Sequence, residues 1–159
     1  MENCKGRTRE SSIERNTRET QIKLWLKLDG EGKSEISTSV GFLDHMLELF
    51  ARHGFFDLEI EAKVYVNVDF HHTFEDVGIC LGKALNDALV DKAGIRRFGS
   101  FTVPMYEALA TVDLDLCGRP YLVYNTPLDN GRIGDFDAEL VEEFLHGFVN
   151  NSGTTLHVN

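Results

Sequence analysis

From Ile22 to Leu28 the chain places an aliphatic residue at every even position, with Lys23, Trp25 and Lys27 between them. A period of two sets Ile22, Leu24, Leu26 and Leu28 on one face, so the run predicts a half-buried β-strand. Asp29-Gly30-Glu31-Gly32 predicts a turn, and residues 33–38 predict the returning strand of a hairpin. The period then changes. Phe42, Leu43, Met46, Leu47 and Phe50 recur at helical spacing, and Gly54 stands as the helix stop. Phe56, Leu58, Ile60, Ala62, Val64, Val66 and Val68 alternate again, a run long enough to require a bend or a hairpin within it. A second helix is predicted from about residue 73 to 89, with Val77, Cys80, Leu81, Ala84, Leu85 and Ala88 as its apolar stripe and Lys92-Ala93-Gly94 after it. Strand-like runs follow at 110–116 and 121–124. A last helix over about 138–150 leads through Gly153 into a strand at 154–158.

Part of this order repeats. A helix, a glycine and a strand occur around Gly54 and again around Gly153, and the offset between these glycines equals that between Asp44 and Glu143. Internal duplication is therefore expected. The halves are read as lobes of a single domain over 1–159, the first about 10–93 and the second about 94–159, with no low-complexity linker between them. A length of 159 residues suits one domain.

Charge narrows the partners. A net charge of −10 argues against nucleic acid, because a phosphate backbone repels a surface rich in carboxylates. The polar N-terminal stretch lacks the apolar core of a signal peptide or membrane span. Cys4, Cys80 and Cys117 show no paired spacing, which favours a reducing compartment over a disulfide framework. The expectation is a cytoplasmic protein with no membrane partner.

The chemistry concentrates at Asp69-Phe70-His71-His72-Thr73-Phe74-Glu75-Asp76. On a helix Glu75 lies four residues after His71 and three after His72, so it can share a face with either imidazole. The two histidines diverge by about 100°, so the cluster can serve two metal sites or two subunits. Imidazole suits Zn, Fe, Mn, Ni or Cu, and the added carboxylate favours harder ions such as Mn. Asp69 and Asp76 are candidates to fix the imidazole tautomers. The competing reading is a histidine pair at a helix start, bonded to nearby acids. His45 stands alone on an apolar helix, and His53 sits where a cation favours the helix C-terminus. His146 and His157 receive no role. Arg97 and Arg119 each follow a glycine in a predicted loop, and a guanidinium fork there fits a carboxylate or a phosphate, or a surface ion pair.

Taken in order, several motifs resemble the imidazoleglycerol-phosphate dehydratase family. They are Glu14-Arg15-Asn16-Thr17-Arg18-Glu19-Thr20, Gly41-Phe42-Leu43-Asp44-His45-Met46-Leu47, His53-Gly54-Phe55-Phe56-Asp57-Leu58, the His71 to Gly78 run, Arg97-Phe98-Gly99, Gly118-Arg119-Pro120 and Gly134-Asp135-Phe136-Asp137. The resemblance implies an α+β fold of two similar βα lobes, each a four-stranded sheet with helices on one face. It implies a large homo-oligomer built from trimers, with active sites between subunits and two Mn²⁺ per site. His45, His71, His72, Glu75 and Glu143 would be metal ligands. Glu19 would act in acid–base chemistry, His53 would contact substrate, and Arg97 and Arg119 would hold its phosphate. The implied reaction is dehydration of imidazole glycerol phosphate to imidazole acetol phosphate in histidine biosynthesis, through an ionised imidazole ring and loss of water. The family's second HHxxE motif falls beyond Asn159, so the second lobe is read as incomplete and turnover by these 159 residues as weak. Val64-Tyr65 stands in place of a usual Gly-Asp, and Tyr106 in place of a usual Asp. Two other functions compete: a metal-dependent enzyme processing phosphoesters, and a metal-stabilised assembly protein without catalysis.

Overall fold

The computed structural model describes residues 8–65, 71–127, 131–133 and 136–159. Strands β1 (Glu10–Asn16), β2 (Thr20–Lys27) and β3 (Ser34–Ser37) precede helix α1 (Gly41–Gly54), strand β4 (Asp57–Val64) and helix α2 (His71–Leu89). Strands β5 (Phe98–Met105), β6 (Ala108–Asp115) and β7 (Tyr121–Tyr124) follow. The short pair β8 (Arg132–Ile133) and β9 (Phe136–Asp137), helix α3 (Leu140–Ser152) and β10 (Thr155–Val158) complete the order.

The alternation from Ile22 to Leu28 is a strand as expected. Thr20, Ile22, Leu24 and Leu26 are buried, while the odd positions between them stay partly open. One face of the sheet therefore carries the core, and the helices pack on that face. Leu58, Ile60 and Ala62 of β4 meet Leu43, Leu47 and Ala51 of α1 and Phe74, Val77, Cys80 and Leu81 of α2 in one cluster. Phe136 completes it, stacked on Phe42 at 4.3 Å between ring centroids.

Four strands, β1, β5, β8 and β9, were not legible in the pattern. β5 is exposed along its whole length, and β1 alternates only between exposed and half-buried positions. One expectation was wrong. Residues 34–37 do not return along β2; they pair in parallel with β4, Ser34 opposite Leu58 and Ser37 opposite Glu61. The first sheet has the order β1-β2-β4-β3 and the second β5-β6-β10-β7. In each, the first three strands pair antiparallel and the last is parallel to its neighbour. The architecture is α+β, two four-stranded sheets with helices. β4 ends at Val64; Val66 and Val68 lie outside the described residues, as do Cys4, Asp69 and Gly134-Asp135. Cys80 and Cys117 are free thiols, and burial pushes Cys80 up to about 11.

Gly54 does not stop α1 by adopting the left-handed conformation. Phe55 does, with φ 57°, and Gly54 makes room for the ring of Phe56, whose Cε2 would lie 2.4 Å from a Cβ there. In α3 the left-handed residue is Gly153 itself, φ 64°.

Helix α2 is buried on more than its expected stripe, because α3 covers a second face. Gly78 and Gly82 form that contact. A Cβ on Gly78 would stand 2.3 Å from the carbonyl oxygen of Phe144, and one on Gly82 2.4 Å from that of Phe148. Small residues one turn apart let two helix backbones approach this closely. Because 144 faces 78 and 148 faces 82, the helices run side by side with their N-termini at the same end.

Candidate metal centre and active site

That parallel arrangement brings the chemistry together at one end of α2. His71 and His72 open the helix, their rings 5.9 Å apart and inclined by 75°. One ligand atom each from His71, His72 and Glu75 lies within 4.8 Å of the others. Their outer edges face different acids. His71 Nε2 is 3.7 Å from Glu143 Oε1, in the first turn of α3. His72 Nδ1 is 3.3 Å from Glu19 Oε2, at the link between β1 and β2. All four of these side chains are half exposed, open to an arriving solute.

The donor set fits a divalent cation. Neutral imidazole and carboxylate are ligands for borderline to hard ions, and three such atoms lie within 4.8 Å of one another. Glu143, 3.7 Å from His71, is a candidate for a further oxygen donor.

Asp76 departs from its expected role. Among the described residues its hydrogen-bond partners are Arg15 and Thr20. Arg15 Nε donates to its Oδ1 at 2.8 Å, and the Thr20 hydroxyl donates to its Oδ2. Sequence reasoning missed Arg15, Thr17 and Thr20 as members of the site. The signal available was that all three stand in the segment that carries Glu19.

The remaining predicted residues stand apart. His45 lies on the exposed side of α1, outside the metal-ligand cluster, and His53 is exposed in the last turn of that helix. Arg97 makes a two-bond pair with Asp115, at 2.6 and 2.9 Å, and lies over the Phe98 ring at 4.8 Å. The hydrogen bonds from Arg97 hold the Asp115 carboxyl down at about 2. Arg119 is exposed beyond Gly118, and its carbonyl accepts from the Thr155 hydroxyl at 2.9 Å. Gly118 packs against Gly153 at the C-terminal end of α3. Glu143, which meets His71, lies at the other end, roughly 15 Å away at the helical rise. Within one chain the arginines and the histidine cluster are therefore at opposite ends of α3.

An α+β fold of two like sheets, with a histidine–glutamate cluster where α2 begins, defines a protein of the two-sheet α+β class with a candidate metal site open to solvent. The sequence pattern of the imidazoleglycerol-phosphate dehydratases matches residues 38–159. The chain is 62% identical over 151 residues to imidazoleglycerol-phosphate dehydratase of Citrifermentans bemidjiense, covering 95% of this chain and 77% of that protein. It is 59% identical over 152 residues to the Geobacter sulfurreducens protein of the same name, covering 96% and 78%. The crystal structure of imidazoleglycerol-phosphate dehydratase from Staphylococcus aureus superposes with a TM-score of 0.83 at 39% identity, over 94% of this chain and 82% of that one. The chain belongs to the imidazoleglycerol-phosphate dehydratase family, enzymes of histidine biosynthesis.

Proposed function

We propose that this chain is a hydro-lyase that removes water from imidazole glycerol phosphate to give imidazole acetol phosphate. The carrying observation is the convergence of His71, His72 and Glu75, with Glu143 and Glu19 on the two outer ring edges.

His71, His72, Glu75 and Glu143 would hold Mn²⁺, with His45 as a ligand brought from elsewhere in the assembly. Two Mn²⁺ per site are proposed, in keeping with two histidines that face different acids. Bound there, the cations supply the positive charge that favours an ionised imidazole ring. Glu19 has the task of taking the proton from carbon, and its place beside His72 sets it at the edge of the cluster. Arg97 and Arg119 are the phosphate-binding groups, and His53 a further substrate contact. Because the arginines lie at the far end of α3 from the histidines, a complete site needs more than one copy of the chain. That separation supports a homo-oligomer with sites between subunits, and we take it to be built from trimers. Among the described residues no helix is long and apolar enough to cross a membrane, and we take the enzyme as cytoplasmic. Residues 10–93 and 94–159 are taken as two lobes of one domain, on the shared strand order of their sheets.

The test is incubation of the protein with Mn²⁺ and imidazole glycerol phosphate, followed by product analysis. Ketone formed with Mn²⁺ and abolished by a chelator is expected. Free phosphate in place of ketone would instead identify a phosphoester hydrolase. Mn²⁺-driven assembly and a raised melting temperature, with no product and no stabilisation by substrate, would leave a structural metal role.

A further inference from the structure

We propose that Thr20 and Asp76 are positioning residues that set the Glu19 carboxylate against the His72 edge of the cluster. This rests on the reading of Glu19 as the acid–base group. Residues 17–19 link β1 to β2, and the peptide of Glu19 is held on both sides. Thr17 Oγ1 accepts the N–H of Glu19 at 3.2 Å and that of Thr20 at 2.9 Å. Tyr65 N–H donates to the Glu19 carbonyl at 2.8 Å. These bonds shape the link but do not reach α2.

The tie to α2 is made by Asp76. Its Oδ2 accepts the Thr20 hydroxyl, and its Oδ1 takes Nε and Nη2 of Arg15, both at 2.8 Å. Asp76 is 6% exposed and Thr20 fully buried. A buried carboxylate left without its partners is costly, so this contact holds its geometry. His72 and Asp76 are one helical turn apart on the same face of α2, and Glu19 and Thr20 are neighbours in the chain. Two rungs result: Thr20–Asp76 inside and Glu19–His72 outside. The outer rung is 44–46% exposed, and exposed pairs of this kind do little to fix themselves. A free glutamate side chain also has considerable rotamer freedom to lose. The outer rung is therefore placed by the inner one.

The test compares Thr20→Val, which removes the hydroxyl at nearly constant volume, with Thr20→Ser, which keeps it. The variants Glu19→Gln and Thr20→Val/Glu19→Gln accompany them. For each, kcat, KM, Mn²⁺ affinity and amide hydrogen exchange of residues 17–20 are measured. A misplacement on the order of 1 Å costs up to about 100-fold in rate. Thr20→Val is expected to lower kcat about 10- to 100-fold, with KM and Mn²⁺ affinity within about twofold and faster exchange at residues 17–20. Thr20→Ser is expected to stay within about threefold of the parent. The double variant should lose no more than Glu19→Gln alone, because a misplaced base and an absent one are the same defect. Full kcat and unchanged exchange in Thr20→Val, or losses that multiply in the double variant, would overturn the proposal. Should Glu19→Gln itself retain kcat, the acid–base reading fails; amide exchange in Thr20→Val still decides whether the inner rung positions the link.

Discussion

His71 Nε2 reaches to within 3.7 Å of Glu143 Oε1, so the first turn of α2 faces the first turn of α3. A cation held between them would join the two helices as well as form part of the proposed site. Anything that binds the folded state alone stabilises it, by about 2.7 kcal/mol at a hundred times the dissociation constant. Mn²⁺ is thus expected to raise the melting temperature by roughly 5–10 °C for a chain of this size, and EDTA to reverse it. Glu143→Ala should weaken Mn²⁺ binding about tenfold while leaving the metal-free melting temperature nearly unchanged, since both side chains are half exposed. Equal metal-induced shifts in the parent and the variant, read by calorimetry, would remove Glu143 from the ligand set.

The α2–α3 contact is expected to reject any side chain at its glycines. Gly78→Ala puts a methyl group where the Phe144 carbonyl already stands, 2.3 Å from the new Cβ. The nearest atoms all belong to the Phe144 backbone, so they cannot swing aside. Overpacking of this kind costs about 1–3 kcal/mol, against a gain in helix propensity of up to about 1 kcal/mol. Denaturant unfolding should therefore show a net loss, and Gly41→Ala, where a Cβ meets nothing within 4 Å, should show none.

Tyr106 occupies the tip of the β5–β6 hairpin with φ 53°, and it is 98% exposed. It buries nothing that would offset a left-handed backbone, which costs a residue with a Cβ about 1–2 kcal/mol. Asparagine tolerates that conformation better. Tyr106→Asn is expected to stabilise the fold by up to about 1 kcal/mol, seen as a higher urea midpoint with the same slope.

The acid limb of stability should carry the mark of Asp115. Its carboxyl is held at about 2, below its ordinary value of 3.8, chiefly by hydrogen bonds from Arg97. A lowered folded-state value means the folded form binds the proton later than the unfolded chain. The contribution is thus fully present above about 4 and lost as pH falls towards 2. Asp115→Asn should flatten the decline of stability across that window. An unchanged slope in urea melts between pH 4 and 2 would show the pair to be too well solvated to matter.

Local periodicity made much of the first sheet readable from the residues alone. The even positions from Ile22 to Leu26 are buried because a strand points alternate side chains to opposite faces, and that rule needs no knowledge of partners. The pairing of His71, His72 and Glu75 was equally legible, since one turn of helix fixes their spacing. What the pattern could not contain was the choice of neighbour. Residues 34–37 read as a hairpin return because a turn precedes them, yet β4 takes them in parallel; each strand has two edges, and composition does not say which is filled. β5 escaped notice because it is exposed along its whole length, and β1 because none of its positions is fully buried. Glu19 and Glu143 meet the two histidines only after a hairpin and a second helix are brought to the start of α2, a placement set by Asp76 and by the close approach at Gly78. The separation of Arg97 and Arg119 from that cluster is likewise a tertiary result. The sequence determined which side chains are apolar, which stretches are helical and where metal-ligating residue types cluster, because those properties are local. Packing determined which of them meet, because contact depends on segments far apart in the chain.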